Sequence, residues 1–245
     1  MRLVGFSTGA LALSDFRTGL QMVRGAGLRA VELSALREAE LTPLVTALDE
    51  LDLSGFDYIS LHAPSKLAPG REPEVVDLLR SVAESRGWSI IVHPDVITDD
   101  ELWRSLSHSL CIENNDRRKS TGKTWKDLIT WFDRFPEAGF CLDLGHARQV
   151  DMSMTEAYFM LKVLGDRLTQ LHVSEVTTRS RHEPMSALCV RAFRQIAALV
   201  PQQVPVIIES QVTQADIARE VAAVRTALTP DAPAVKAPTA AAILP

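Results

Sequence analysis

Histidines and carboxylates of this chain stand at the ends of short apolar segments. Seven residues take this position: Glu32, His62, His93, Glu113, Asp143, His172 and Glu209. His146 and His182 follow such segments closely, so five of the six histidines belong to this group. Any one of them, such as His93 before Pro94, could be an ordinary hydrogen-bonded structural residue. Together they would bring several carboxylates close to one another, and such groups stay ionised only when cations neutralise them. The set therefore indicates a divalent-metal site.

The apolar segments have the length of β-strands and alternate with longer segments of helical periodicity. The eight candidate strands are Leu3–Ser7, Ala30–Ser34, Tyr58–His62, Ile90–His93, Leu110–Asn114, Phe140–Leu144, Gln170–Ser174 and Pro205–Glu209. We interpret most of them as continuous apolar runs, which are typical of parallel strands that are covered on both faces.

Amphipathic helices are predicted between these strands. Ser14 is the expected cap of the first helix, Pro73 and Gly87 are expected to begin and end another, and Thr213 is the expected cap of the last one. Further helices are predicted over Leu44–Leu51, Asp99–Leu106, Trp125–Phe132, Thr155–Leu164 and Met185–Leu199.

Eight strand–helix units in 245 residues predict an α/β fold, a single (β/α)8 TIM barrel. An open doubly wound sheet is the alternative, but no GxGxxG motif follows the first strand. In a parallel barrel the carboxyl ends of all strands meet on one face, where active sites lie. We assign residues 1–228 to the barrel as the catalytic domain and residues 229–245 to a Pro- and Ala-rich C-terminal tail.

Composition limits the classes of function. The chain is 46% hydrophobic and 23% charged, with a net charge of −5, which supports a buried core and argues against binding duplex nucleic acid through bulk positive charge. Its three cysteines form no CxxC pair, so a reducing, cytoplasmic location is expected. No apolar run reaches the roughly 18 residues that span a membrane, and we interpret Leu3–Leu13 as a first strand and loop, not a secretion signal.

The sequence resembles the xylose-isomerase-like TIM barrels, which include endonuclease IV and the sugar isomerases and epimerases. The resemblance covers most of residues 3–210 and rests on the motifs SLHAP (60–64), IVHP (91–94), IENN (112–115), LDLGHA (142–147), LHVSE (171–175), SRHEP (180–184) and IIES (207–210). It implies a barrel fold and dependence on a divalent metal. It leaves the reaction open, because the superfamily hosts several chemistries.

In the isomerase branch, the resemblance implies one divalent ion, often Mn²⁺, held by Glu113, Asp143, His172 and Glu209. Glu113 and Glu209 would then be the catalytic groups, moving a proton between adjacent carbons of a sugar while the metal polarises its oxygens. His62, His93, His146 and His182 would position substrate hydroxyls.

In the endonuclease IV branch, the resemblance implies several zinc ions and hydrolysis of a phosphoester. One ion would take His62, His93 and Glu113, a second would share Glu113 and add Asp143, His172 and Glu209, and a third would take His146 and His182. Ser180 stands where an aspartate ligand of the third ion belongs, so that site is expected to be weakened. The loops after the second and third strands are short, which argues against DNA as the substrate.

A basic loop after the fifth strand adds a possible contact for substrate. It carries Arg117, Lys119 and Lys123, and Arg181 follows the seventh strand. Together with Glu32 these are the candidate substrate-binding residues, and their charge suggests an anionic or phosphate-bearing small molecule. An ordinary solvated loop is the alternative.

The first expectation is a multinuclear metal hydrolase of a phosphoester. The alternative is a mononuclear sugar or sugar-phosphate isomerase or epimerase, and the second alternative is a non-catalytic barrel that binds metal or a partner. Imidazole and carboxylate ligands suit Zn²⁺ or Mn²⁺, and also Fe²⁺, in one to three ions.

Overall fold

The structure is a computed structural model in which residues 2–230 are described. The strands are β1 (Val4–Ser7), β2 (Ala30–Ser34), β3 (Tyr58–His62), β4 (Ser89–Val92), β5 (Leu110–Glu113), β6 (Gly139–Asp143), β7 (Leu168–Val173), β8 (Glu175–Val176), β9 (His182–Glu183) and β10 (Val206–Ile208). The helices are α1 (Thr8–Ala12), α2 (Phe16–Gly25), α3 (Glu38–Ala47), α4 (Glu72–Arg86), α5 (Asp100–Arg104), α6 (Trp125–Arg134), α7 (Leu144–Val150), α8 (Thr155–Leu164), α9 (Ala187–Arg194) and α10 (Ile217–Ala227). Of the expected tail, only Thr229 and Pro230 fall among the described residues.

Eight parallel strands close into one barrel, in the order β1-β2-β3-β4-β5-β6-β7-β10 and back to β1. Helices lie between them, so the expected (β/α)8 barrel is confirmed. None of the helices within residues 2–230 is long and apolar enough to cross a membrane.

The barrel strands alternate in polarity, which corrects the expectation of continuous apolar runs. On β2, Val31 and Leu33 join the hydrophobic cluster that the strands form with the surrounding helices. Glu32, between them, is bonded inside the barrel to Ser60 of β3 and Gln170 of β7. The outer face of the strands thus builds the core, whereas the inner face carries the polar groups beneath the site.

Helix ends agree with the sequence in part. Gly87 ends α4 in the left-handed conformation at φ 66°, as expected. The cap of α2 is Asp15, whose carboxylate accepts the backbone N–H of Thr18 at 3.0 Å, so the assignment to Ser14 was wrong. Thr213 precedes a short 3₁₀ turn and not α10 itself, which begins at Ile217.

Three local elements were not predicted. The short helices α1 and α7 directly follow β1 and β6, and the antiparallel pair β8–β9 follows β7. The segments were too short for periodicity to identify them. Both α7 and the β8–β9 pair carry histidines of the predicted metal-binding set, His146 and His182.

Gly5 permits the closest approach of two strands. A Cβ atom at this position would lie 1.9 Å from the backbone oxygen of Ala30, its partner in the β1–β2 pair. A backbone atom in a closed barrel cannot move aside cheaply. Glycine is therefore required here for steric reasons.

We expect Gly5→Ala to lower the free energy of unfolding by about 1–3 kcal/mol, the usual cost of overpacking a core. The matched control is Gly165→Ala, because nothing lies within 4 Å of its Cβ position and its φ of −58° suits alanine. Urea unfolding of the two variants measures the difference. Equal stabilities would contradict this account of the β1–β2 contact.

Candidate metal centre

The sequence-predicted metal ligands all meet at the carboxyl end of the barrel. Strands or the residues directly after them supply six of these ligands, α7 supplies His146, and β9 supplies His182. The ring centroids of His62 and His93 lie 5.2 Å apart, and those of His146 and His182 lie 5.3 Å apart. The residues therefore form one cluster.

Four of them offer one donor atom each to a common point. Donor atoms of Glu113, Asp143, His172 and Glu209 all lie within 4.8 Å of one another. His172 Nδ1 is 3.2 Å from Glu113 Oε1 and 3.5 Å from Glu209 Oε1. Three carboxylates and one imidazole are a donor set that Zn²⁺, Mn²⁺ and Fe²⁺ accept.

The atoms of this group lack other partners. Glu113 Oε1, Asp143 Oδ2 and His172 Nδ1 are buried and form no hydrogen bond. A buried polar atom without a partner costs about 1–3 kcal/mol, and more if it is charged. Because the unpaired atoms point to the same place, the residues present fit a bound cation.

Two further groups of three overlap with this one. They are His62 with Glu113 and His172, and Asp143 with His146 and His182. His93 lies beside the first, with Nε2 3.8 Å from Glu113 Oε2, and its buried Nδ1 has no partner. The carboxylate of each smaller group also belongs to the four-donor group: Glu113 in the first and Asp143 in the second.

Ser180 is turned away from the cluster. Its hydroxyl accepts a hydrogen bond from Gln149 Nε2 at 2.9 Å, and its backbone has a φ of 53°. His182, two residues further along the chain, has Nδ1 2.9 Å from Ser174 Oγ and 3.3 Å from Glu209 Oε2. The serine thus offers no substitute for the carboxylate that the zinc-cluster pattern requires.

Burial and charge shift the two predicted catalytic carboxylates in opposite directions. Burial would raise the pKa of Glu113, but the neighbouring His93 and His172 lower it well below its usual range. Burial raises the pKa of Glu209 to about 8, helped by the charges of Glu113 and Asp143 and opposed by His172. Different surroundings thus give the two carboxylates different pKa values, as in many acid–base sites.

The pKa values of the histidines are also shifted in opposite directions. Burial alone would lower their pKa values, but a hydrogen bond to Glu113 raises that of His62 to about 9, and the charge of Asp143 raises that of His146 to about 10. For His93 and His182 burial prevails, with pKa values of about 4. Imidazolium protons and a divalent cation are two ways to balance the same carboxylates.

Asn114, which the sequence analysis did not select, holds Asp143 in place. Its side chain accepts the backbone N–H of Asp143 at 2.7 Å and donates to the backbone oxygen at 2.9 Å. Its own carbonyl lies 2.9 Å from His146 Nδ1. Asp143 in turn caps α7 by accepting the N–H of His146 at 2.6 Å. Asn114 therefore contacts two candidate ligands, Asp143 through its side chain and His146 through its backbone oxygen.

Glu32, a candidate substrate-binding residue, lies beneath the cluster. It is fully buried, and Oε2 is 3.0 Å from His172 Nε2. It does not line the cavity at the barrel mouth. The structure therefore brings Glu32 to His172, a candidate ligand, and not to the mouth of the cavity.

A cavity of about 190 Å³ opens above the ligands. Its rim is formed by Leu36, Ser65, Lys66, Asp116, Arg118 and Lys119. Of the basic residues selected from the sequence, only Lys119 lines it, whereas Arg117, Lys123 and Arg181 do not. The rim cations face acidic partners: Arg118 pairs with Asp116 at 2.7 Å, and Lys119 with Asp95 at 2.6 Å.

The chain resembles two solved sugar-epimerase barrels in fold. A D-tagatose 3-epimerase-like protein superposes with a TM-score of 0.61 at 15% identity, covering 93% of this chain and 97% of that one. The apo form of the 3-keto-D-glucoside 4-epimerase YcjR from E. coli gives a TM-score of 0.61 at 14% identity, covering 92% and 100%. No family model and no curated protein matches the sequence. At these identities the likeness concerns the fold alone, and it agrees with the (β/α)8 barrel described above.

We expect protein purified without chelators or a histidine tag to carry divalent metal, and Asp143→Asn to reduce its content by more than about tenfold. Asparagine still caps α7, but an amide nitrogen replaces the ligating Oδ2. Elemental analysis per chain measures the effect. His108→Ala is the control, because this exposed histidine lies outside the cluster.

The same analysis counts the ions. One equivalent that the His62→Ala/His93→Ala variant retains indicates occupation of the four-donor group alone. Two or more equivalents, reduced by that double variant, indicate a multinuclear centre. Full metal content in Asp143→Asn would contradict the assignment of the ligands.

Proposed function

We propose that this chain is a divalent-metal-dependent enzyme that isomerises or epimerises a sugar or a sugar derivative. The observation that carries the proposal is the group formed by Glu113, Asp143, His172 and Glu209, with donor atoms within 4.8 Å beside an open cavity. One ion satisfies this group. The sequence analysis placed phosphoester hydrolysis first, but the likeness of the barrel to two epimerases supports the alternative.

Glu113 and Glu209 are the proposed catalytic residues. They line the cavity from different sides, because β6 and β7 separate β5 from β10. One carboxylate would take a proton from a substrate carbon and the other would return a proton from its own side. A divalent cation bound by the four-donor group would polarise the carbonyl and hydroxyl oxygens of the substrate.

Each catalytic carboxylate has its two oxygens in different surroundings. Oε1 of Glu113 and of Glu209 faces His172 Nδ1, on the side of the candidate ion. Oε2 of Glu113 is 3.1 Å from His62 Nε2, and Oε2 of Glu209 is 3.3 Å from His182 Nδ1. The two imidazoles line the cavity and can orient the carboxylates, but His62 Nδ1 is 2.7 Å from the backbone oxygen of Ala63 and is not free for a substrate hydroxyl.

Phosphoester hydrolysis is the second candidate. It is favoured by one observation, the position of His62 and His93 next to Glu113, which offers room for a second ion. Two neighbouring ions can activate water and stabilise a leaving oxygen. A third ion is disfavoured, because Ser180 stands where the zinc-cluster pattern requires an aspartate.

The substrate is proposed to be a small molecule, and an anionic group on it would meet Lys119 and Arg118 at the rim. Their ion pairs with Asp95 and Asp116 reduce this attraction, which makes the charge of the substrate a point for experiment. Three free, buried cysteines agree with the proposed reducing, cytoplasmic location.

We expect the metal-loaded protein to exchange a carbon-bound hydrogen of its substrate with deuterium from the solvent. Glu113→Gln and Glu209→Gln should each slow the exchange by ~10²–10⁴-fold, the usual worth of a positioned acid or base. NMR of ketoses, aldoses and their phosphates in D₂O provides the measurement. Glu84→Gln, on the outside of α4, is the matched control.

Two outcomes would overturn this proposal. Glu113-dependent cleavage of bis(p-nitrophenyl) phosphate without any exchange would favour the hydrolase. A metal-loaded protein that shows neither reaction would favour a binding barrel.

For the rim, we expect Lys119→Ala to lower the preference for a sugar phosphate over the same unphosphorylated sugar by about tenfold in kcat/KM, about 1.4 kcal/mol. Lys123→Ala is the control, because Lys123 belongs to the same loop but does not line the cavity. Steady-state kinetics of the two sugars gives the ratio. A ratio that Lys119→Ala leaves unchanged would remove the anionic-substrate proposal.

A further inference from the structure

On the side of His172 that faces away from the cavity, its Nε2 contacts two polar side chains, those of Glu32 and Gln170. His172 Nε2 lies 3.0 Å from Glu32 Oε2 and 2.7 Å from Gln170 Nε2. Gln170 Nε2 itself donates to Glu32 Oε2 at 2.7 Å. The three side chains are completely buried. When Nδ1 binds an ion, the imidazole is neutral, and these hydrogen bonds determine how well Nε2 can carry its hydrogen.

The two neighbours of His172 Nε2 favour different tautomers. The carboxylate of Glu32 can only accept a hydrogen bond, so it favours hydrogen on Nε2 and leaves the lone pair of Nδ1 free. The amide N–H of Gln170 can only donate, so it favours an unprotonated Nε2 and places the hydrogen on Nδ1. Only the first tautomer offers Nδ1 to a metal ion.

The amide of Gln170 cannot rotate to resolve this conflict. Gln170 Nε2 donates to Glu32 Oε2, and rotation would place the amide oxygen against that carboxylate, whereas Oε1 now accepts from the Tyr58 hydroxyl at 2.6 Å. Ser60 donates to Glu32 Oε2 at 3.1 Å and holds the carboxylate in place. Glu32 is therefore the only acceptor among these neighbours of His172 Nε2.

We propose that Glu32 is a positioning residue that selects the metal-binding tautomer of His172, against the competing amide of Gln170. The proposal rests on the proposed metal-dependent function, since it concerns how the four-donor group binds its ion. Glu32 acts through His172 and does not touch the substrate. Carboxylates that hold the far nitrogen of a histidine ligand raise metal affinity by about 10–100-fold in other proteins.

The test compares Zn²⁺ affinity, measured by competition with a chelator, among variants of the full chain. Glu32→Met removes the acceptor at similar volume and should weaken Zn²⁺ binding by about 10–100-fold. Glu32→Gln keeps an acceptor oxygen where the three donors converge and should restore most of the affinity.

A second variant separates positioning from general structural damage. Glu32→Met/Gln170→Met also removes the competing donor, so it should bind Zn²⁺ more tightly than Glu32→Met alone. If Glu32 served only to stabilise the barrel, loss of a second buried polar group would make binding weaker still. Glu72→Met is the control, because Glu72 is a buried carboxylate that bonds only to Thr98, Asp99 and Trp103 and should leave the affinity unchanged.

NMR of ¹⁵N-histidine-labelled protein provides a direct readout, with His172 assigned by its loss in His172→Gln. The zinc-loaded wild type should carry hydrogen on Nε2 and zinc on Nδ1, whereas zinc-free Glu32→Met should lack the Nε2 hydrogen. The wild-type spectrum tests the tautomer even where a variant does not fold, and the affinity of Glu32→Met tests the role of Glu32. Hydrogen on Nδ1 of the zinc-loaded wild type would overturn the proposal.

The failures of the two proposals are distinguishable. A wild-type protein that binds no Zn²⁺ would refute the metal-dependent function itself. A wild type that binds Zn²⁺ with the same affinity as Glu32→Met would refute the role of Glu32 alone.

Discussion

The constraint on which this structure depends is the burial of four carboxylates at one end of a closed barrel. Glu32, Glu113, Asp143 and Glu209 share this space with five imidazoles, and most of them are inaccessible to water. Negative charges at such distances must be balanced locally, because the surrounding protein screens them weakly. Imidazolium protons provide one balance and a divalent cation another. The unpaired atoms of Glu113, Asp143 and His172 lie where such a cation would contact all three.

The barrel and the cluster of histidines and carboxylates at its mouth could be predicted from the sequence, because seven of the eight predicted strands carry such a residue at or near their end, where its burial needs a reason. The predicted polarity of the strands was wrong for the residues that precede the strand ends. Continuous apolar runs were inferred where a period of two is present, as in Val31-Glu32-Leu33-Ser34. With that period, Ser60 and Gln170, which stand two residues before His62 and His172, fall on the inner face with them. The same pattern places Glu32 inside the barrel, 3.0 Å from His172 Nε2.

Other features depend on contacts that a linear pattern does not contain. The ion pairs of Lys119 with Asp95 and of Arg118 with Asp116 turn a basic loop into a nearly balanced rim. Asn114 reads as one more polar residue after β5, yet it holds the backbone of Asp143 from a neighbouring strand. Both depend on which loops and strands become neighbours when the barrel closes. Sequence spacing predicts that strand ends meet, but not which side chains bond there.

The same contacts bear on how many ions the centre can hold. Asp143 Oδ1 is occupied by the N–H of His146, so one oxygen of this residue remains for metal. An ion at His146 and His182 would have to share that oxygen with the four-donor group, and Ser180 provides no carboxylate in its place. An ion at His62 would likewise depend on Glu113. Among the described residues, only one candidate position has four protein donors. Because the carboxylates are shared, the arrangement favours one ion at the four-donor group over several ions.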